Sequence, residues 1–83
     1  MEAKLYLEVV TPEKVVFQGN VISVSVPSEI GKFTILKDHA PIVATLQSGV
    51  VKVEGRFSED YEFPCASGVV QCLHNEVTVL IEK

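Results

Sequence analysis

Ile22-Ser23-Val24-Ser25-Val26-Pro27 alternates apolar and hydroxyl side chains with a period of two. Successive side chains of an extended chain point to opposite faces, so Ile22, Val24 and Val26 are expected on one face and Ser23 and Ser25 on the other. Such a half-buried strand stops at Pro27, which has no N–H for a ladder. The same period extends outward in both directions. Towards the N-terminus, Leu5, Leu7 and Val9 alternate with Tyr6 and Glu8, and Thr11-Pro12-Glu13-Lys14 reads as a turn. Val15 to Phe17 is a short strand ending at Gly19-Asn20, where a positive φ fits. Towards the C-terminus, Gly31 marks a turn before Phe33–Leu36, Lys37-Asp38-His39-Ala40-Pro41 is a loop, and Ile42–Leu46 resumes the apolar pattern. Val51 and Val53 alternate with Lys52 and Glu54 after Gly49, and Gly55 to Asp60 is a polar hairpin tip. Tyr61, Phe63 and Cys65 alternate with Glu62 and Pro64. Ser67-Gly68 is a turn or bulge before Val69–Cys72, and Val77–Ile81 closes the chain after His74-Asn75-Glu76.

No segment carries a helical period. Short strands at close spacing, rich in β-branched valine, predict an all-β sandwich or barrel. With 83 residues the chain is one domain, spanning 1–83, and its 47% hydrophobic content is needed to build a core.

Seven basic against eleven acidic residues leave a formal net charge of −4, a poor match for nucleic acid or an anionic lipid surface. A protein partner suits this balance better. No apolar run approaches the ~20 residues needed to span a bilayer. The opening MEAKLYLEVV reads as a strand without the apolar core of a signal peptide, so a soluble chain starting at Met1 is expected. Cys65 and Cys72 offer one bridge in an exported protein, and the missing signal favours reduced thiols.

Candidate chemistry is sparse. His39 follows Asp38, the pairing of a base with an orienting carboxylate, yet no nucleophile accompanies them. In a His-Ala-Pro loop the imidazole has a structural use, hydrogen-bonding nearby backbone and fixing the turn. Cys65, Cys72 and His74 lack a fourth ligand and CxxC-like spacing for zinc, and Cys65 falls in register with the apolar Tyr61 and Phe63. Gly19, Gly31, Gly49, Gly55 and Gly68 form no phosphate-cradling motif, and each sits at a predicted strand end, where turn geometry explains it. The acidic Glu59, Asp60 and Glu62 belong to a solvated tip. No catalytic, metal or cofactor site is expected. Ile42, Val43, Val50, Val69 and Val70 exceed what one small core needs, and surplus aliphatic residues form a contact patch.

The order of segments resembles the epsilon subunit of F-type ATP synthases, in its N-terminal β-sandwich domain. Leu7-Glu8-Val9-Val10-Thr11-Pro12-Glu13-Lys14 with Val16-Phe17 and Gly19 is similar to the family's opening. Val26-Pro27, Gly31, Ile35-Leu36 and His39-Ala40-Pro41-Ile42 resemble its middle, continued by Leu46, Gly49-Val50 and Val53. Ser67-Gly68, Asn75 and Val77-Thr78-Val79-Leu80 resemble its closing strands.

The resemblance implies a small β-sandwich of about ten short, mostly antiparallel strands. It implies a non-catalytic central-stalk rotor subunit that ties the gamma subunit to the membrane c-ring of a proton-translocating synthase, for ATP synthesis. The complex would lie at the cytoplasmic face of a bacterial membrane, which this domain reaches only through its partners. A loop containing Glu29, Gly31, Lys32, His39, Ala40 and Pro41 would face the c-ring. A side carrying Ile42, Val43, Gln47, Val50, Ala66, Val70 and Gln71 would face gamma. The chain departs from the family at Lys32, where an acidic residue is frequent, at Ser28 and Thr34, which replace frequent glycines, and at Val69, which replaces a larger apolar residue. Its 83 residues also lack the family's C-terminal two-helix domain, so a complete chain of this length would couple without hairpin inhibition. The alternative is a free-standing β-sandwich that binds a small ligand or carbohydrate, for which the chain has no Trp and only two Tyr.

Overall fold

The computed structural model describes residues 4–57 and 59–82. Met1–Ala3, Ser58 and Lys83 lie outside the described residues, although the sequence pattern assigns them to the opening strand, the polar tip and the chain's end. Eight strands form among the described residues: β1 (Leu5–Val10), β2 (Val15–Ser28), β3 (Gly31–Leu36), β4 (Ile42–Leu46), β5 (Gly49–Gly55), β6 (Asp60–Cys65), β7 (Ser67–Leu73) and β8 (Glu76–Glu82).

The expected count of about ten is corrected to eight, and β2 shows how separate sequence segments merge. Gly19-Asn20 does not end a strand, because the chain continues extended as one 14-residue strand. Its first half pairs β1, from Val15↔Val10 to Val21↔Leu5. Its second half pairs β3, from Ser23↔Leu36 to Ser28↔Gly31, and β5 over Val21–Ser25. The ladders join all eight strands continuously, and β4 returns to β2 at Leu46↔Ser28. β2 is shared by two halves of this sheet: a first sheet of β2–β1–β8–β7–β4 and a second of β3–β2–β5–β6. Only β1 and β8 run parallel.

The switch between sheets is made at Ile22. The ladder to β5 slips between Val21↔Gly55 and Ser23↔Glu54, leaving Ile22 as the extra residue of a bulge. The bulge resets the period of two. Val21 and Val24 both face the core at 4% and 0% exposure, while Ile22 is 45% exposed. The expectation that Ile22 shares a face with Val24 and Val26 is thus overturned, since simple alternation cannot register an inserted residue. Nor does the strand stop at Pro27, which pairs across to Lys32 and accepts from the Gln47 N–H at 2.8 Å.

The two inner faces bury one core. Leu5, Leu7, Val9, Val70, Val77, Val79 and Ile81 come from the first sheet, and Val24, Val26, Ile35, Val51 and Val53 from the second. Aromatic contacts add to the packing around the core. Phe17 meets Tyr61 with centroids 4.9 Å apart and Phe63 at 6.0 Å, geometries favoured by the ring quadrupoles. Elsewhere, Phe33 stacks on His39 at 6.3 Å.

Two glycines have different causes. Gly31 closes the β2–β3 hairpin with φ 124°, a conformation open mainly to glycine. Gly68 lies inside β7, where an added Cβ would come within 2.1 Å of the Leu80 carbonyl oxygen. Close approach of two strands, rather than turn geometry, requires glycine there.

Candidate interaction surfaces

The outer face of the first sheet is read from its ladders. Val43 lies opposite Gln71, and Thr45 opposite Val69. Gln71 and Val69 in turn face Thr78 and Leu80 on β8, and these face Glu8 and Val10 on β1. Val43 is 71% exposed, and its diagonal neighbours on β7, Val69 and Leu73, are 41% and 45% exposed. Diagonal neighbours on one face of a pair lie within reach of each other, so these three make a continuous apolar patch. Leu80 and Val10 extend it across the sheet, half-buried.

The seven residues expected to face gamma fall into three groups. Val43 and Gln71 are exposed cross-strand partners on this patch. Ile42 and Val70 point the other way: Ile42 packs against the core and Val70 is fully buried, so Val70 is removed from any contact surface. Val69, its neighbour, holds the outward position instead. Gln47, Val50 and Ala66 gather at one end of the sandwich. Val50 and Ala66 line a shallow, largely apolar depression of about 520 Å³ with Ser48, Gly49, Pro64 and Cys65. Gln47 stands beside it, its carbonyl accepting from the Cys65 thiol at 3.7 Å.

The six residues expected to face the c-ring do not form one loop. Glu29, Gly31 and Lys32 belong to the β2–β3 hairpin, whereas His39, Ala40 and Pro41 follow the far end of β3. Between the two groups β3 carries the chain about 13 Å from Lys32 to Leu36. The sequence places them close together, and an extended strand carries them apart. His39 shortens the gap by turning its ring back onto Phe33, the neighbour of Lys32. Its Nδ1–H donates to the Ala40 carbonyl at 2.7 Å, and its backbone N–H to the Leu36 carbonyl at 3.1 Å. This is the turn-fixing use expected for the imidazole.

Both substitutions of frequent glycines find partners. The Ser28 hydroxyl, 1% exposed, accepts from the Ile30 N–H at 3.1 Å and braces the hairpin. The Thr34 hydroxyl bonds that of Ser25 at 2.9 Å across the β2–β3 pair. The hairpin tip also carries Ile30, 82% exposed between Glu29 and Gly31, which the sequence reading passes over. An isoleucine flanked by turn residues is the signal that marks it.

The soft ligands are dispersed. Cys65 pairs with Gly49 at one end of the sandwich, Cys72 with Ile42 and Val77 towards the other, and both thiols are free. Burial pushes both thiols above their ordinary pKa of 9.0, and for Cys65 a backbone hydrogen bond at Gly49 partly offsets it. Protonated, buried thiols are poor nucleophiles and poor metal ligands. His74 is exposed in the β7–β8 turn. Among the described residues no group of three His, Cys, Asp or Glu is arranged to hold a metal ion. No helix there is long and apolar enough to cross a membrane.

Similar proteins include the ATP synthase epsilon chain of Nitratiruptor, 38% identical over 78 residues, covering 94% of this chain and 60% of the relative. The epsilon chain of Chlorobaculum tepidum is 36% identical over 77 residues, covering 93% of this chain and 88% of the relative. The chain thus spans about three-fifths of the first relative and most of the second. Among solved structures, a chain of the Euglena gracilis mitochondrial ATP synthase (OSCP/F1/c-ring) superposes with a TM-score of 0.91 at 16% identity, covering 100% of this chain and 53% of its own. A chain of the Tetrahymena thermophila mitochondrial ATP synthase central stalk and c-ring gives 0.80 at 14% identity, covering 99% and 66%. These two likenesses concern the fold. The family model for the β-sandwich domain of the ATP synthase delta/epsilon chain matches residues 4–83, and the chain belongs to that family.

Proposed function

We propose that this β-sandwich is a non-catalytic rotor element of a proton-translocating ATP synthase, fastening the gamma subunit to the membrane c-ring so that torque passes between them during ATP synthesis. The supporting observation is the apolar patch of Val43, Val69 and Leu73 on the outer face of the first sheet. A chain with a formal charge of −4 and 22% charged residues leaves these side chains in water at a cost. Covering them gains about 1 kcal/mol or more for each well-buried aliphatic group, before the cost of association. In this reading gamma covers the patch, and Gln71 and Thr78 fix its register. The ring is met by the β2–β3 hairpin with Glu29, Ile30, Gly31 and Lys32, and by the separate β3–β4 loop with His39, Ala40 and Pro41. A basic Lys32 at this position calls for an acidic or uncharged partner on the ring loop. The assembly sits at the cytoplasmic face of a bacterial membrane, and the domain reaches it only through its partners.

The direct test is co-purification of the chain with the gamma subunit and the c-ring of its own organism, followed by ATP-driven proton pumping in membranes depleted of epsilon. Binding to both and restored coupling are expected. A chain that binds neither gamma nor the gamma–ring complex would sink the proposal.

A further inference from the structure

Three segments distant in sequence meet at Asn75. Its backbone carbonyl accepts from the Tyr6 N–H at 2.8 Å, at the start of β1. Its side-chain Oδ1 accepts from the Asp38 backbone N–H at 2.6 Å, and its Nδ2 donates to Asp38 Oδ1 at 3.1 Å. Asp38 and Asn75 are thus joined by a reciprocal pair of hydrogen bonds across 37 residues of sequence. Both residues are left-handed, with φ of 65° and 63°. Asp and Asn are among the few non-glycine residues that adopt this conformation readily. The next residue after Asp38 is His39, whose N–H and imidazole fix the rest of the loop. β4 holds the C-terminal end of this loop to the first sheet, whereas neither stacking on Phe33 nor the bond to Leu36 ties its N-terminal end there. The Asp38–Asn75 pair does, from the turn between β7 and β8.

We infer that Asn75 is a positioning residue: its side chain clamps the β3–β4 loop to the sheet that bears the gamma-facing patch, and so fixes how His39, Ala40 and Pro41 are presented to the c-ring. The inference rests on the reading of that loop as ring-facing. It adds a second link between the two contact surfaces besides β4, made by a residue that belongs to neither. Through it, a load on the loop passes into β7 and β8 as well as along β3 and β4.

Two single variants and one exchange test it in the full chain. Asn75→Asp places a carboxylate against Asp38. Asn75→Gly keeps the left-handed turn and removes only the clamp. Asp38→Asn combined with Asn75→Asp swaps the partners and restores both hydrogen bonds between residues that tolerate positive φ. Hydrogen exchange at the Asp38 amide reports the clamp, and affinity for the gamma–c-ring complex, against gamma alone, reports its use. Each single variant is expected to speed that exchange by about tenfold, as for loss of one hydrogen bond. Each is also expected to weaken binding to the gamma–ring complex severalfold while leaving gamma alone bound as before, and the swap restores both. Unchanged exchange in Asn75→Gly overturns the clamp. Faster exchange with unaltered affinity for the complex, or a swap that restores neither reading, overturns the positioning role. A wild-type chain that fails to bind the ring complex sinks the rotor reading instead, and the exchange rates of the variants and the swap still decide the clamp.

Discussion

The outer faces of the two sheets are made by the same alternation, yet they carry opposite chemistry. On the first sheet the outward residues of β4 and β7 include Val43, Val69 and Leu73, each more than two-fifths exposed. On the second, most outward residues are hydroxyls and charges, several of them hydrogen-bonded, with Leu36 at 53% and Ile22 at 45% exposure as apolar exceptions. Ser25 bonds Thr34 at 2.9 Å, Ser23 donates to Glu54 at 3.3 Å, and Lys52 stands opposite Glu62. A face whose polar groups already have partners and water gains little from being covered. The continuous run of exposed valines and a leucine on the first sheet does gain, and that contiguity singles out this side of the domain for a protein partner. The two sheets share a core, so the difference is one of surface and can be altered without rebuilding the fold.

The sharpest way to probe the contrast is to compare neighbours on β7. Val70→Asp puts an unpaired carboxylate into the core and is expected to cost on the order of 4 kcal/mol. That is most of the stability of so small a domain, and denaturant unfolding should show the loss. Val69→Asp, one residue away on the outer face, should move stability by less than about 0.5 kcal/mol. Equal effects at the two positions would mean that the strand's facing is wrong. Next in size is Gly68→Ala, for which overpacking against the Leu80 carbonyl predicts a loss of about 2 kcal/mol, read from the same unfolding curves. An unchanged midpoint would show that β7 and β8 do not approach as closely as described.

A smaller effect separates the outer faces themselves. Val43→Lys should lower the affinity for gamma by about tenfold with little change in stability, measured by titration calorimetry. Thr34→Lys, on the polar face, should leave the affinity unchanged and cost about 1 kcal/mol at most, for the lost hydrogen bond to Ser25. If both variants bind alike, the apolar patch is not the gamma surface. The smallest effect concerns pH. Burial raises the thiol of Cys72 above its ordinary 9.0, so the folded chain holds this proton to higher pH than the unfolded one. Its contribution to stability is constant below about pH 9 and is lost as pH rises through the folded value. Unfolding midpoints should therefore fall less steeply above pH 9 in Cys72→Val than in the native chain.

Much of the fold was legible because its causes are local. The alternation of Leu5, Leu7 and Val9, and of Tyr61, Phe63 and Cys65, records which face is buried. His39 was readable as a turn-fixing residue because its hydrogen-bond partners lie within three positions of it. The contact surfaces were less legible. Val70 and Val43 look equivalent as spare valines, and only strand facing places one in the core and the other at 71% exposure. Glu29 and His39 look like members of one loop, and only the extension of β3 holds their backbones apart. Ile30 was marked only by its turn neighbours, and Asn75 was readable as a turn residue but not as the partner of Asp38, 37 residues away.

By itself the sequence determined the class of element, the positions of most turns and the absence of a helical period, since each depends on side chains within a few residues. It also carried the family resemblance, which is a property of residue order. Only the tertiary structure decided the rest. A bulge at Ile22 lets one strand serve two sheets, and pairing register sorts adjacent valines into core and surface. A reciprocal bond across 37 residues ties a loop to a turn. These depend on which strands become neighbours, and neighbours in space are set by the burial of the whole core rather than by any one segment.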